Sequence, residues 1–357
     1  MADMWRVIDT GLRPATQNIT LNRALLEARH AEEIPSTLRF FRVTPCALLA
    51  CRQSPAQEFD LDACRTGKVD VQRRITGGAA VYADETAFGW ELYLHRRDVG
   101  AVGMEVVARR ICHAAATAIG ALGVDARFRA RHDIEVDGRA ISTGGGAVDG
   151  GALLYQGILQ IDADAGRRVR VLRTPTAAEG GESSVTGLED CTGLQQLLGR
   201  SIDPARIKAN MIAAFESEFE VEYQDGELSL SEHVRYQQAL VAVSAPDWVN
   251  LVQQPAFDAP LCDAVQECAG GLLHVRLIYD RSARRIKQVC FRFEPGPGPR
   301  RTIADLQAAL RDTAIERLVP NVRGFFAGRA VDVSLPASED FIAVVRRAIK
   351  FPLVARS

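Results

Sequence analysis

Two glycine loops, each hung on strand-like sequence, constrain this chain more than any other feature. The first is Arg73-Arg74-Ile75-Thr76-Gly77-Gly78-Ala79-Ala80-Val81-Tyr82-Ala83-Asp84, where a charge pair, a hydroxyl and two adjacent glycines sit between apolar runs. Adjacent glycines let backbone N–H groups approach an anion with no Cβ in the way, and the arginines add charge and bidentate hydrogen bonds. The stretch reads as a loop for a phosphate or carboxylate; a plain β-turn with solvated arginines would use the same glycines. The second stretch, Arg131 to Gly146, spells a short strand, an Asp137-Gly138 hairpin turn and a return strand that runs into Gly144-Gly145-Gly146. Two such loops on strands suggest one cleft.

With 357 residues, 47% of them hydrophobic, the chain is long enough for a large core and for two domains. A net charge of −2 and a pI near 6.3 give no overall bias toward nucleic acid or anionic membranes. None of the eight cysteines has CxxC spacing, so they read as mostly buried thiols and no metal ligands are assigned. The start lacks a basic segment followed by an apolar core, and no run approaches the roughly 18 apolar residues of a membrane helix. The expectation is a soluble, cytoplasmic protein with no nucleic-acid or membrane partner. Only four of the 43 basic residues are lysine (Lys68, Lys208, Lys287 and Lys350), so candidates for a catalytic lysine are few.

In chain order, Trp5 to Thr10 reads as a strand and Asn18 to Ala31 as a helix with Leu21, Ala24, Leu25 and Ala28 on one face. Thr37 to Val43 and Ala47 to Arg52 read as a strand pair broken at Pro45. Val69 to Arg73 is a strand that delivers the first loop, and Phe88 to His95 alternates as a half-buried strand does. Val102 to Leu122 is an amphipathic helix; its Cys112-His113 pair reads as packing, because adjacent helical residues do not face each other. Ala152 to Asp162 is a strand after the second loop, and Thr174 to Leu188 a polar loop. Helices follow near Asp203 to Glu218 and Ser231 to Val241. Linker composition at Gln253 to Pro260 divides the chain into domains at 1–252 and 253–357. The second holds strands at Leu272 to Tyr279 and Ile286 to Arg292, then helices near Ile303 to Arg311, Glu316 to Phe326 and Glu339 to Lys350.

On these motifs the chain resembles the lipoate–protein ligase A family, of the biotin/lipoate ligase fold. Arg73-Arg74-x-Thr76-Gly77-Gly78 is similar to that family's lipoate and adenylate loop, Asp133 to Ser142 to its Asn-Asp segment, and Gln156-Gly157 to its His-Gly or Gln-Gly pair. The match spans roughly residues 5 to 245, and the tail resembles the family's small accessory domain. The resemblance implies an α+β fold, a mixed β-sheet with flanking helices, followed by a small α+β unit.

It also implies an enzyme that joins lipoate or octanoate to ATP as an acyl-adenylate, with Mg²⁺ bridging ATP oxygens. The acyl group would then pass to a lysine of a lipoyl-domain protein or a related lipoate-binding protein. Carried over, Arg74 and Arg139 are catalytic; Arg73, Arg74, Thr76, Gly77, Gly78, Ala79, Ala140 and Gly157 bind the acyl substrate; Val81, Tyr82, Asp84, Asp133, Ser142 and Val185 bind ATP. The acyl tail needs an apolar tunnel, placed near Trp90, Leu92 and Leu154. Ala140 stands where the family carries the lysine that touches acyl carbonyl and phosphate, with Arg139 and His132 as substitutes. Ala79, Ala83, Ala87, His132 and Ser184 also depart from the pattern. Two other readings stay open: a non-catalytic module that binds lipoate or a lipoylated partner, and a cysteine-dependent octanoyl or lipoyl transferase with Cys191 as the thiol.

Overall fold

The computed structural model describes residues 3–51, 53–77, 80–100, 103–129, 133–162, 166, 170–172, 191–251, 261–269, 271–294, 300–327 and 335–350. Its strands in chain order are β1 (Asp3–Arg13), β2 (Thr37–Val43), β3 (Cys46–Leu49), β4 (Asp70–Arg73), β5 (Val81–Ala83), β6 (Ala87–His95), β7 (Arg127–Arg129) and β8 (Asp133–Val136). They continue with β9 (Arg139–Asp149), β10 (Ala152–Gln160), β11 (Val221–Asp225), β12 (Leu261–Cys268), β13 (Gly271–Asp280), β14 (Arg285–Glu294) and β15 (Thr313–Ala314). The longer helices are α1 (Ala15–His30), α2 (Met104–Gly120), α3 (Pro204–Phe219), α4 (Leu230–Val243), α5 (Arg300–Leu310), α6 (Leu318–Ala327) and α7 (Ser338–Lys350).

Eight strands make one mixed sheet in the order β11-β1-β2-β6-β10-β9-β8-β7, and a three-stranded sheet, β4-β3-β5, packs beside it. The architecture is α+β, as expected. Alternation along β6 separates two cores. Phe88, Trp90, Leu92 and Leu94 pack with Ile111 and Ile119 of α2 and Met211 and Phe215 of α3. On the other side Tyr93 joins Leu25 of α1 and Leu154, while Val43, Leu48, Val81 and Ile158 close the space toward the small sheet. Each fully buried side chain of this size contributes about 1.5–3 kcal/mol of burial.

That alternation corrects the proposed tunnel. Trp90 and Leu92 lie on the α2 and α3 side and Leu154 on the α1 side, so the three do not line one channel. The expected strand pair also comes apart. β2 pairs with β1 and β6 in the large sheet, whereas β3 pairs with β4 and β5 in the small one. The change of sheet falls at Thr44-Pro45, where proline has no N–H to continue a ladder.

The expected domain boundary falls in 252–260, outside the described residues. After it, β12-β13-β14-β15 form a separate antiparallel sheet. Leu273, Val275 and Leu277, spaced by two, turn inward onto Leu306, Phe341 and Val345. Strands β11 and β12 escape the sequence pattern: β11 is Val-Glu-Tyr-Gln-Asp on the sheet edge, and β12 follows directly on the linker-like stretch. No helix among the described residues is long and apolar enough to cross a membrane.

Candidate functional site

Strand β4 ends on the arginine pair, and the two side chains have different fates. The Arg73 guanidinium is buried and donates to four carbonyls: Ala50 and Cys51 at 3.1 Å each, Trp248 at 3.1 Å and Val249 at 2.6 Å. Trp248 returns its indole N–H to the Arg73 carbonyl at 2.9 Å. With four of its five N–H groups given to carbonyls, this fork is an anchor that seats the loop. Arg74 is also buried, and burial pushes its guanidinium down to about 10, which leaves it charged at neutral pH. It donates to the Gly77 carbonyl at 3.3 Å. Thr76 is fully buried, and its hydroxyl has no hydrogen-bond partner among the described residues.

The Gly77 N–H donates to the Gly146 carbonyl at 3.1 Å. The two glycine loops therefore meet, as the sequence suggests. The same bond occupies the Gly77 donor, which the resemblance would aim at an acyl-phosphate. Gly78 and Ala79 lie outside the described residues, as do His132 and Val185.

The second loop starts at the Asp137-Gly138 turn, whose φ angles of 50° and 78° are the left-handed pair that a two-residue hairpin needs. Strand β9 then carries Arg139, half-buried with an Nε that lacks a partner among the described residues, and Ala140. Ala140 pairs in parallel with Cys191, and its carbonyl accepts the Thr192 N–H at 3.0 Å. A half-buried thiol-bearing residue thus lies beside the position that lacks a lysine. Ser142 is buried on the same strand. Gly157 of β10 sits opposite Gly144, and a Cβ on it would come 2.3 Å from the Trp90 indole. Its role here is close packing.

The remaining expected contacts divide. Val81 is core, packed with Leu48 and Ile158. The Tyr82 hydroxyl donates to Asp84 at 3.2 Å, and Asp84 also accepts the Thr86 N–H and hydroxyl at 3.0 and 2.7 Å, so its carboxylate holds the turn into β6. Asp133 is buried and paired with Arg129 at 3.3 Å and with Arg311 of the second unit at 3.8 Å. No group of three His, Cys, Asp or Glu side chains that could hold a metal converges among the described residues. Asp84 uses both carboxylate oxygens on Tyr82 and Thr86, whereas the printed ion pairs of Asp133 fall on Oδ2 alone.

A polar cluster that the motifs do not reveal lies between α1 and the large sheet. Glu91, fully buried, accepts from Arg39 at 2.7 Å, Asn22 at 2.6 Å and Tyr93 at 2.6 Å. Burial alone would lower Arg39, but the Glu91 carboxylate reverses this and holds it above its ordinary value. Beside the cluster Gln156 is 3% exposed, and its Oε1 has no partner among the described residues. The signal that could have found it is chemical: Arg39 in Thr-Leu-Arg-Phe-Phe and Glu91 in Gly-Trp-Glu-Leu-Tyr are single charges inside apolar strands.

Residues 14–216 match the model of the lipoyl protein ligase A/B catalytic domain. The octanoyltransferase LipM of Moorella thermoacetica is 25% identical over 269 residues, which cover 70% of this chain and 98% of that protein. A bipartite lipoate protein ligase of Thermoplasma acidophilum, studied with its E2 lipoyl domain, superposes with a TM-score of 0.61 at 18% identity, over 72% of this chain and 99% of that one. A lipoate-protein ligase A bound with ATP gives 0.59 at 19% identity, over 70% and 98%.

Proposed function

Because this chain belongs to the family of lipoyl protein ligase A/B catalytic domains, whose members are enzymes, we propose that it transfers an octanoyl or lipoyl group through a thioester on Cys191 to a lysine of a lipoyl domain. The observation that carries this reading is the pairing of Cys191 with Ala140. At the position where the adenylating relatives are expected to hold a lysine, this chain offers a methyl group, and the reactive atom next to it is sulfur. The relatedness to octanoyltransferases supports the same choice.

In the first step the Cys191 thiolate attacks the carbonyl carbon of an acyl thioester on a carrier, and the carrier thiolate leaves. In the second an acceptor lysine amine attacks the acyl carbon on Cys191, the cysteine thiolate leaves, and the proton released from nitrogen goes to it or to water. Both steps put negative charge on the acyl oxygen. Arg74, buried and charged, and the Thr76 hydroxyl are the donors assigned to that oxygen. Removing one such donor costs about 10²–10³ in rate, so Arg74→Ala is expected to slow transfer at least a hundredfold.

The test is intact mass after incubation with an octanoyl thioester of a carrier protein. An octanoyl adduct that hydroxylamine removes, that Cys191→Ser abolishes and that a lipoyl domain discharges supports the reading. An adduct that persists in Cys191→Ser overturns it. So does pyrophosphate release from ATP and octanoate by a protein that forms no adduct, which is the adenylating alternative.

A further inference from the structure

We infer that Arg311, which the second unit brings to the face of the large sheet that carries Cys191, is the cation that holds the Cys191 sulfur as a thiolate. The inference rests on the reading of Cys191 as the acyl-bearing residue and adds the group that activates it.

Residues paired across a ladder project to the same face. Glu135 of β8 pairs with Ala140 of β9, and Ala140 pairs in turn with Cys191, so the three side chains share one face. Asp133 pairs with Thr143, and Thr143 with Ile158, which packs with Leu48 and Val81 of the small sheet. The opposite face, with Ile134, Val136 and Ile141, belongs to the core under α2. The second unit docks on the Cys191 side. Arg301 of α5 reaches Glu135 at 3.3 Å, and Arg127 of β7 reaches Asp305 of α5 at 3.2 Å. Arg311 follows directly on α5; its backbone N–H closes the last turn on the Gln307 and Ala308 carbonyls at 3.1 and 3.3 Å, and its guanidinium stands 3.8 Å from the Asp133 carboxylate.

The carboxylates on this face already have partners. Asp133 has Arg129, which also donates to the Gly138 carbonyl at 3.1 Å. Glu135 has Arg127, Arg301 and the Gly138 N–H, and Arg301 is held further by Asp125 at 2.7 Å and Asp137 at 3.8 Å. Lys287 and Arg285 of β14 are held by Asp312 at 2.9 and 3.3 Å. Arg139 pairs with Val136 and so projects to the other face, and Arg74 of the first loop serves the acyl oxygen. Arg311 is the cation left over: among the described residues its guanidinium makes no hydrogen bond, and its approach to Asp133 is too long for one.

A thiol packed among apolar groups ionises poorly, and an arginine beside it favours the thiolate, the form that attacks. Ala140 offers Cys191 no charge. Along β8 two residues, about 7 Å at the strand rise, separate the level of Asp133 from that of Ala140 and Cys191. The Arg311 side chain turns from the one to the other and leaves only a loose approach behind, while Arg129 stays on Asp133. The thiol proton goes to water, and the attack on the acyl carbon then needs no separate base.

The experiment is alkylation of the full chain by iodoacetamide across a pH series, read by mass on the peptide that holds Cys191, for the unaltered protein, Arg311→Gln and Arg311→Lys. In the unaltered protein the pH of half-maximal rate is expected below that of a free thiol, about 8.5. It should rise by about one unit or more in Arg311→Gln, the shift that losing an opposite charge at close range gives, and return most of the way in Arg311→Lys. At pH 7 the glutamine variant then reacts about tenfold more slowly. Coincident profiles for the unaltered protein and Arg311→Gln overturn the inference. So does a rise that Arg311→Lys leaves in place, because charge is then not its cause. A half-maximal pH at or above about 8.5 in the unaltered protein overturns it without any variant. The acyl-transfer reading fails on a different result, the absence of a hydroxylamine-sensitive octanoyl adduct on Cys191; an adduct that forms alongside coincident alkylation profiles leaves that reading standing while the inference falls.

Discussion

At the scale of single residues, burial of charge decides how the first loop works. Arg74 keeps its proton until pH rises toward about 10, so affinity for an anionic ligand at the loop is expected to stay level from neutral pH and to fall as pH passes that value. Titrating octanoate at a series of pH values measures this, and a fall centred near neutrality would place the titrating group elsewhere. Gly157 is constrained differently. Alanine there meets the Trp90 ring, itself buried between Tyr155 and Phe215, so Gly157→Ala should lower stability by about 1–3 kcal/mol in urea unfolding. What could be read from sequence at this scale was the loop chemistry: paired arginines, a hydroxyl and glycines, brought against a second glycine run. Which arginine faces a ligand could not be read, because the partners that occupy Arg73, the carbonyls of Trp248 and Val249, lie far along the chain.

At the scale of elements, the helices and strands mostly announce themselves through spacing, and their docking does not. Sequence spacing puts the start of this helix near Ser231; in the structure α4 starts at Leu230, behind a capping box in which the Ser229 oxygen accepts the Glu232 N–H. The structure gives Glu232 a second duty, a two-pronged pair with Arg6 of β1 at 2.9 and 2.5 Å, which fastens the helix to the large sheet. Burial favours the protonated form of Glu232, yet the Arg6 fork and the Ser229 donors hold its carboxyl below the usual value. A carboxyl whose folded pKa is depressed contributes stability that is full above the ordinary carboxylate range and is lost as pH falls through the folded value. Glu232→Gln is therefore expected to cost about 1.5–3 kcal/mol at neutral pH. The gap between the two melting temperatures should narrow steadily on acidification, and a gap independent of pH would show that the ion pair contributes nothing. The strands that sequence missed or misjoined share one reason: β11 and the partner choice of β3 are set by neighbours in space, not by local pattern.

At the scale of the whole molecule, charge joins the two units where β7 and β8 meet α5. Arg127 reaches Asp305 at 3.2 Å, and Arg301 reaches Asp125 at 2.7 Å and Glu135 at 3.3 Å. The arginines are about a third exposed and Asp125 is open to solvent, while Glu135 and Asp305 are buried, so salt should weaken chiefly the Arg301–Asp125 pair: at about 1 M the screening length is near 3 Å. Arg301→Ala is expected to lower the melting temperature at low salt and to lower it less at high salt. Nothing in the sequence signals this contact, because Arg127 and Asp305 lie far apart along the chain. Similarity to the model of the lipoyl protein ligase A/B catalytic domain ends at residue 216, yet the first loop is held in place from Trp248 and Val249. A fragment cut at the edge of that similarity would strand a buried guanidinium without two of its acceptors, so the smallest working piece is set by the reach of Arg73 and extends at least to residue 249.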